Sequence, residues 1–117
     1  MKINRYFKEQ EFACKCGCGS KSIDPRLPWI ATCARIHFKQ PVTITSAHRC
    51  PTHNKNVGGA SKSMHLGGNA IDIQVKGVPP KDVQKFFDDL FDGQYGIGYG
   101  SNFTHLDMRS NPARFNY

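Results

Sequence analysis

Two stretches of the sequence, SMHLGGNAID and HLD, carry the residue types that a hydrolytic metal site needs. The first supplies His65 and Asp72, and the second supplies His105 and Asp107. Two imidazoles and one carboxylate form a ligand set that zinc accepts in catalytic sites, where a fourth position is left for water. Because a zinc-bound water has a pKa of roughly 7, these residues predict hydrolysis by an activated water molecule.

The elements around these residues can position them. Small residues separate His65 from Asp72 and let the backbone turn sharply. Apolar and polar residues then alternate, which predicts a strand that turns Asp72 away from the core. The same alternation places His105, Asp107 and Arg109 on one face of a second strand. Two such strands side by side would bring the two histidines and Asp72 to one ion, with Asp107 beside it. Five histidines in 117 residues also form such pairs by chance, so a polar surface without metal stays the alternative here.

The spacing Ser-x-His-x-x-Gly-x-Ala-x-Asp, followed downstream by His-x-Asp, resembles a known family. This family comprises the zinc D-alanyl-D-alanine carboxypeptidases and related peptidoglycan endopeptidases, which share a fold with the hedgehog signalling domain. Segment 46–60, SAHRCPTHNKNVGGA, is similar to the family's Ser-Gly-Tyr-Arg segment with its following Asn and Val-Gly-Gly. Segment 7–19 resembles the Glu-Phe-x-Cys opening of small phage and bacterial members, and segment 113–115 resembles their C-terminal end. The resemblance therefore covers nearly the whole chain.

The resemblance implies roles for individual residues. It implies three zinc ligands: His65, Asp72 and His105. It also implies that Arg49 binds a substrate carboxylate. Some relatives place an acidic base three residues before the last histidine ligand, where this chain has Asn102. An amide cannot accept a proton from water, so Asp107 is the predicted general base.

Two other positions in these motifs leave their roles open. Ala47 and His48 stand where the family has Gly-Tyr, so His48 either tunes specificity or occupies a loop. Ser63 is interpreted as a structural hydroxyl rather than a nucleophile, because no separate histidine and acid pair is available to activate it.

Turn-forming residues along the chain, together with the apolar patterns between them, predict an α+β fold. A helix begins at Asp24-Pro25 and ends before Pro41, a strand follows at 42–45, and another strand covers 70–75. A second helix begins at Pro79-Pro80, with four residues at helical spacing assigned to the core: Val83, Phe86, Phe87 and Leu90. A hairpin-like segment, 95–100, then leads to the His105 strand. The sequence predicts one domain over 1–117, a small antiparallel sheet with helices packed mainly on one face, and the resemblance implies a hedgehog or DD-peptidase-like zinc peptidase fold.

The amino-acid composition restricts the classes of partner that the protein is expected to bind. The net charge of +7 favours polyanions, but the basic residues are dispersed and lack the dense cluster or interleaved aromatics of nucleic-acid modules. A bacterial wall with its anionic polymers fits this charge. No stretch approaches the roughly 20 apolar residues of a membrane span, and no export signal is recognisable. We therefore expect a monomer without membrane or specific nucleic-acid partners, cytoplasmic until it is released to act on the cell wall, in the manner of a phage endolysin.

The five cysteines do not form a recognisable zinc knuckle. Only one residue separates Cys14 from Cys16 and Cys16 from Cys18, whereas thiolate zinc sites usually have two to four residues between paired cysteines. The other two cysteines are Cys33 and Cys50. Without an export signal we expect reduced thiols, and a structural metal or a disulfide remains the alternative.

Together these observations predict a zinc metallopeptidase that hydrolyses peptide bonds in peptidoglycan stem peptides, as a D-Ala-D-Ala carboxypeptidase or an endopeptidase. The alternative is a catalytically silent, zinc-stabilised binding domain on the same scaffold, as the hedgehog relatives illustrate. The presence of Asp107 counts against that alternative. A basic nucleic-acid module built on the 14–18 segment is disfavoured by its cysteine spacing and by the dispersed charge.

Overall fold

The computed structural model of the chain describes residues 6–13, 23–47 and 68–117. Its elements are a 3-10 turn Glu9–Phe12, α1 Arg26–Phe38, β1 Val42–Ser46, β2 Ala70–Val75, α2 Pro80–Phe91, β3 Gly96–Tyr99, β4 Thr104–Asp107 and β5 Ala113–Asn116. Within these ranges, two helices and one five-stranded sheet make up an α+β fold, which confirms the predicted fold class.

Helix α1 begins where the sequence predicts. Oδ1 of Asp24 accepts a hydrogen bond from the backbone N–H of Arg26 at 2.9 Å, which satisfies one of the free amides of the first turn. The helix ends at Lys39, whose backbone adopts a left-handed conformation with φ of 57° and whose N–H donates to the carbonyl of Arg35. Four apolar residues at helical spacing are buried against the sheet: Leu27, Ile30, Ala31 and Ala34.

Helix α2 has Pro80 in its first turn, where a missing N–H costs nothing, and ends at Asp92 in a left-handed conformation just before Gly93. Its buried apolar residues recur every four positions: Val83, Phe87 and Phe91. The prediction that Leu90 belongs to the core is wrong, since 42% of this residue is exposed. Phe91 lies on the stripe that continues from Val83 and Phe87, and Leu90 lies beside that stripe.

The strand order in the sheet is β1-β2-β4-β3-β5. The β1–β2, β2–β4 and β3–β4 pairs are antiparallel, as predicted, whereas β5 pairs with β3 in parallel. Both edges of β4 are already paired with β2 and β3, so the chain that leaves β4 crosses to the outer edge of β3. It then runs opposite to β4, which makes it parallel to β3.

Alternation along the strands gives the sheet two different faces. Both helices contact the same face, which carries Ile71, Ile73, Ile97 and Leu106, all with no exposed surface. The other face carries the side chains of Asp72, His105 and Asp107. The helices therefore bury one face of the sheet and leave the opposite face to the polar residues of the predicted site.

Candidate metal and active site

Pairing of β2 with β4 brings together two of the predicted zinc ligands. Asp72 and His105 are direct cross-strand partners, and Nδ1 of His105 lies 2.9 Å from Oδ1 of Asp72. Only 8% of Asp72 and 3% of His105 is exposed. Directly paired residues of antiparallel strands have Cβ atoms about 4.5–5.5 Å apart, so the fold itself imposes this contact.

Asp107 lies on the opposite side of the imidazole. Its Oδ2 is 2.8 Å from Nε2 of His105, and the residue has no exposed surface. A carboxylate can only accept hydrogen bonds, so each ring nitrogen that donates to one carries a proton, Nε2 toward Asp107 and Nδ1 toward Asp72. A metal ion bound at Nδ1 would replace the proton on that nitrogen, and the ring is held between two carboxylates.

Arg109, which the alternation placed on the same face, holds Asp107 with a two-pronged contact. Its Nε donates to Oδ1 at 2.7 Å and its Nη2 donates to Oδ2 at 2.6 Å. The backbone N–H of Arg109 adds a bond to Oδ1 at 3.2 Å. Each oxygen of Asp107 thus has two hydrogen-bond partners. In the part of the chain that the structure describes, these contacts leave no free site on the carboxylate for a water molecule.

These contacts set the charge states in the site. Burial disfavours the charged imidazolium of His105, but hydrogen bonds to Asp107 and Asp72 outweigh burial and raise the pKa of His105. Burial also opposes the charged form of Asp107, but His105 and Arg109 hold the pKa of this carboxyl well below its usual range. A carboxylate with so low a pKa is a weak base near neutral pH. The role of Asp107 as general base remains a prediction.

Two glycines of β3 make room for the cluster. Gly96 pairs with Asp107 and Gly98 with His105. A Cβ at Gly96 would overlap the Asp107 carboxylate, and one at Gly98 would meet the Cβ of His105 and the ring of Phe115. Both glycines therefore permit the close approach of side chains from the neighbouring strands.

Aromatic rings from the C-terminal segment line the other flank of His105. The ring centroids of Phe115 and Tyr117 lie 5.4 and 5.9 Å from the imidazole. The guanidinium of Arg109 lies 5.2 Å from the centre of the Phe115 ring. Strand β5 was not predicted from the residue pattern, and its pairing with β3 delivers Phe115 next to the site.

Several predicted residues lie outside the described ranges. They are His65, Arg49, His48, Ser63 and the cysteines Cys14, Cys16, Cys18 and Cys50. Cys33, which is described, is free and half-buried. Within 6–13, 23–47 and 68–117, no group of three His, Cys, Asp or Glu side chains could hold a metal ion. The structure therefore supplies two of the three predicted zinc ligands, Asp72 and His105, as an adjacent pair.

The described helices include none with the length and apolar character needed to cross a lipid bilayer.

Comparison with known proteins identifies the family of the chain that carries this sheet and its Asp72–His105 pair. Residues 5–107 match the family described as Peptidase M15, so the chain belongs to the Peptidase M15 family and has its peptidase fold. Among curated relatives, the peptidoglycan L,D-endopeptidase MepK of Escherichia coli K12 is 31% identical over 122 residues. The MepK proteins of Escherichia coli O157:H7 and Shigella flexneri match at the same identity. The alignment covers 97% of this chain and 62% of each relative, so the chain spans about three fifths of their length.

Proposed function

We propose that this chain is a zinc-dependent peptidase that hydrolyses peptide bonds in the stem peptides of peptidoglycan. The observation that carries the proposal is the buried Asp72–His105 pair in a chain of the Peptidase M15 family. The similar proteins named MepK are peptidoglycan L,D-endopeptidases, which favours an endopeptidase over a D-Ala-D-Ala carboxypeptidase.

The donor atoms suit zinc. An imidazole nitrogen and a carboxylate oxygen are ligands that zinc accepts, and at 2.9 Å from each other the two atoms are close enough to bind the same ion. His65 would complete the set, because the motif places it seven residues before Asp72. Zinc held by these residues would acidify a water molecule and polarise the scissile carbonyl group.

Two further residues would act on the substrate and on protons. Arg49 would bind a substrate carboxylate through two parallel hydrogen bonds, which suits the acid-rich stem peptides. Asp107 is the base that the sequence predicts, but Arg109 and His105 already occupy its two oxygens. To act as a base, Asp107 would have to break one of those hydrogen bonds during turnover.

The net charge of +7 supports an anionic polymer as the surroundings in which the enzyme works. We propose the bacterial wall as that polymer, with the chain reaching it after release from the cell, as an endolysin does.

The test is digestion of purified peptidoglycan by the zinc-loaded protein, followed by mass spectrometry of the soluble fragments. An endopeptidase releases fragments cut inside the stem or cross-link, whereas a carboxypeptidase releases only terminal D-alanine. His105→Ala serves as the inactive control. A zinc-loaded wild-type protein that yields neither product would support the catalytically silent binding domain instead.

A further inference from the structure

We propose that Arg109 is a positioning residue, which fixes the metal-binding orientation of His105 through Asp107. The inference rests on the proposed function, because it treats His105 as a metal ligand. Arg109 itself touches neither Asp72 nor the imidazole nitrogens in any described hydrogen bond; its polar contacts in the described chain go to Asp107.

Two carboxylates fix the orientation of the His105 imidazole. Rotation of the ring by half a turn about its Cβ–Cγ bond would take Nδ1 away from Asp72 and Nε2 away from Asp107. The two contacts at 2.9 and 2.8 Å hold the present orientation. Metal-binding histidines commonly donate their second N–H to a carboxylate, which fixes the tautomer and the ring position. Asp107 occupies the place of that carboxylate.

Arg109 in turn fixes the orientation of the Asp107 carboxylate. A carboxylate bound only by one imidazole N–H can rotate about its Cβ–Cγ bond and offer either oxygen. The guanidinium of Arg109 contacts both oxygens at 2.7 and 2.6 Å, which sets the plane of the carboxylate. Oδ2 is thereby directed at Nε2 of His105. A lysine ammonium, which is a point charge, cannot impose that plane.

Arg109 is itself held against an aromatic ring. Its guanidinium lies over the Phe115 ring, and that ring in turn lies 5.4 Å from the His105 ring. Gly96 lets the Asp107 carboxylate lie flat against β3, because any larger residue would place its Cβ on that carboxylate. The side chain of Arg109 is 30% exposed, so its charge is only partly desolvated while the acceptor is fully buried.

A purely structural ion pair is the competing explanation, and the chain contains a matched example. Arg114 on β5 donates from Nε to Oδ1 of Asp88 at 2.7 Å, with 24% of its side chain exposed. That pair lies on the helix-covered face of the sheet, away from His105. Arg114→Gln therefore removes a similar ion pair without changing Arg109, Asp107 or His105.

The experiment measures zinc affinity by competition with a chromophoric chelator, together with the visible absorption of the Co²⁺-substituted protein. We expect Arg109→Gln to weaken zinc binding by roughly 10-fold, the lower end of the range for direct partners of metal ligands, because Arg109 acts on His105 through Asp107. The Co²⁺ spectrum should change, and Arg109→Lys should restore little of the affinity. Arg114→Gln should lower thermal stability and leave both metal readouts as in the wild type.

Arg109→Gln and Arg109→Lys proteins with wild-type zinc affinity and an unchanged Co²⁺ spectrum would overturn the inference while leaving the proposed function intact. A wild-type chain that binds no zinc would overturn both. Should Arg109→Gln fail to fold, Asp107→Asn provides the second variant. It is expected to weaken zinc affinity if Asp107 orients His105, and to leave affinity unchanged while abolishing turnover if Asp107 is only the base.

Discussion

Asp72 and His105 face each other across the β2–β4 ladder, and the imidazole between Asp72 and Asp107 contacts a carboxylate at each of its nitrogens. The register of the β2–β4 pairing places these two residues opposite each other. The position of the site therefore depends on how β2 and β4 pair within the sheet. A one-residue register shift of β2 would turn Asp72 toward the helices, and the same shift of β4 would turn His105 there, where the core leaves no room for charge.

This relationship predicts the metal content of variants. The wild-type chain should bind about one zinc ion, as a site with three protein ligands requires, and His105→Ala should lose it. Elemental analysis of protein purified without chelator measures both. Gln74→Ala is the matched control, since Gln74 is the next residue on the same face of β2 and its side chain bonds the Asn102 carbonyl instead. Loss of zinc from the Gln74 variant, or its retention by the His105 variant, would remove the assignment.

A second prediction concerns the close approach of β3 to Asp107. Gly96→Ala should cost about 1–3 kcal/mol of stability, the usual penalty for overpacking, and it should also weaken zinc binding because the carboxylate must move. Chemical denaturation and chelator competition give the two quantities.

Gly77→Ala is the control for Gly96→Ala. Gly77 has φ of +73° and no atom within 4 Å of the position that an added methyl group would take, so alanine there introduces backbone strain without displacing a neighbour. It should lower stability and leave zinc affinity unchanged. Equal zinc affinity in both glycine variants would show that the Asp107 carboxylate tolerates displacement.

The sequence predicted the strands and helices well where a periodic pattern bounded them. Strand β2 matches its predicted range at both ends, and α2 begins at Pro80 as expected. Alternation also placed His105, Asp107 and Arg109 on one face correctly. These properties are local, because they depend on residues within a few positions of each other.

The sequence did not reveal the parts of the site that depend on contacts between distant segments. Strand β5 is only four residues long and pairs in parallel with β3, a contact between distant segments that no local pattern encodes. The need for glycine at position 96 arises only when β3 pairs with β4 and the Asp107 carboxylate lies above it. The alternation placed Arg109 on the correct face. The pattern alone could not show whether its guanidinium binds both oxygens of Asp107 or is an exposed charge.

A third prediction concerns alkaline pH. Burial, followed by the hydrogen bond to Asp88 at 2.7 Å, raises the pKa of Tyr99 above its ordinary value of 10.0. A group whose pKa is raised on folding contributes stability below the unfolded pKa and loses it as the pH rises through the folded pKa. Tyr99→Phe should therefore cost about 0.5–1.5 kcal/mol near pH 8, and the difference from wild type should shrink above pH 10.

Urea denaturation of both proteins across this pH range tests the third prediction, since the two proteins differ only in the hydroxyl group of residue 99. A difference that stays constant or grows above pH 10 would contradict the assigned role of the Tyr99 hydroxyl.

The last prediction concerns Arg49, which lies outside the described residues and rests on the sequence motif. If its guanidinium binds a substrate carboxylate, Arg49→Lys should reduce kcat/KM by about 10- to 150-fold, which corresponds to a lost charge-assisted bond of about 1.5–3 kcal/mol. Zinc content should be unchanged, because Arg49 is not a ligand. Assays on zinc-loaded protein with purified peptidoglycan measure the first quantity, and elemental analysis measures the second. An arginine that only pairs with a surface acid would instead give Arg49→Lys and Arg49→Ala proteins with slightly altered stability and wild-type turnover.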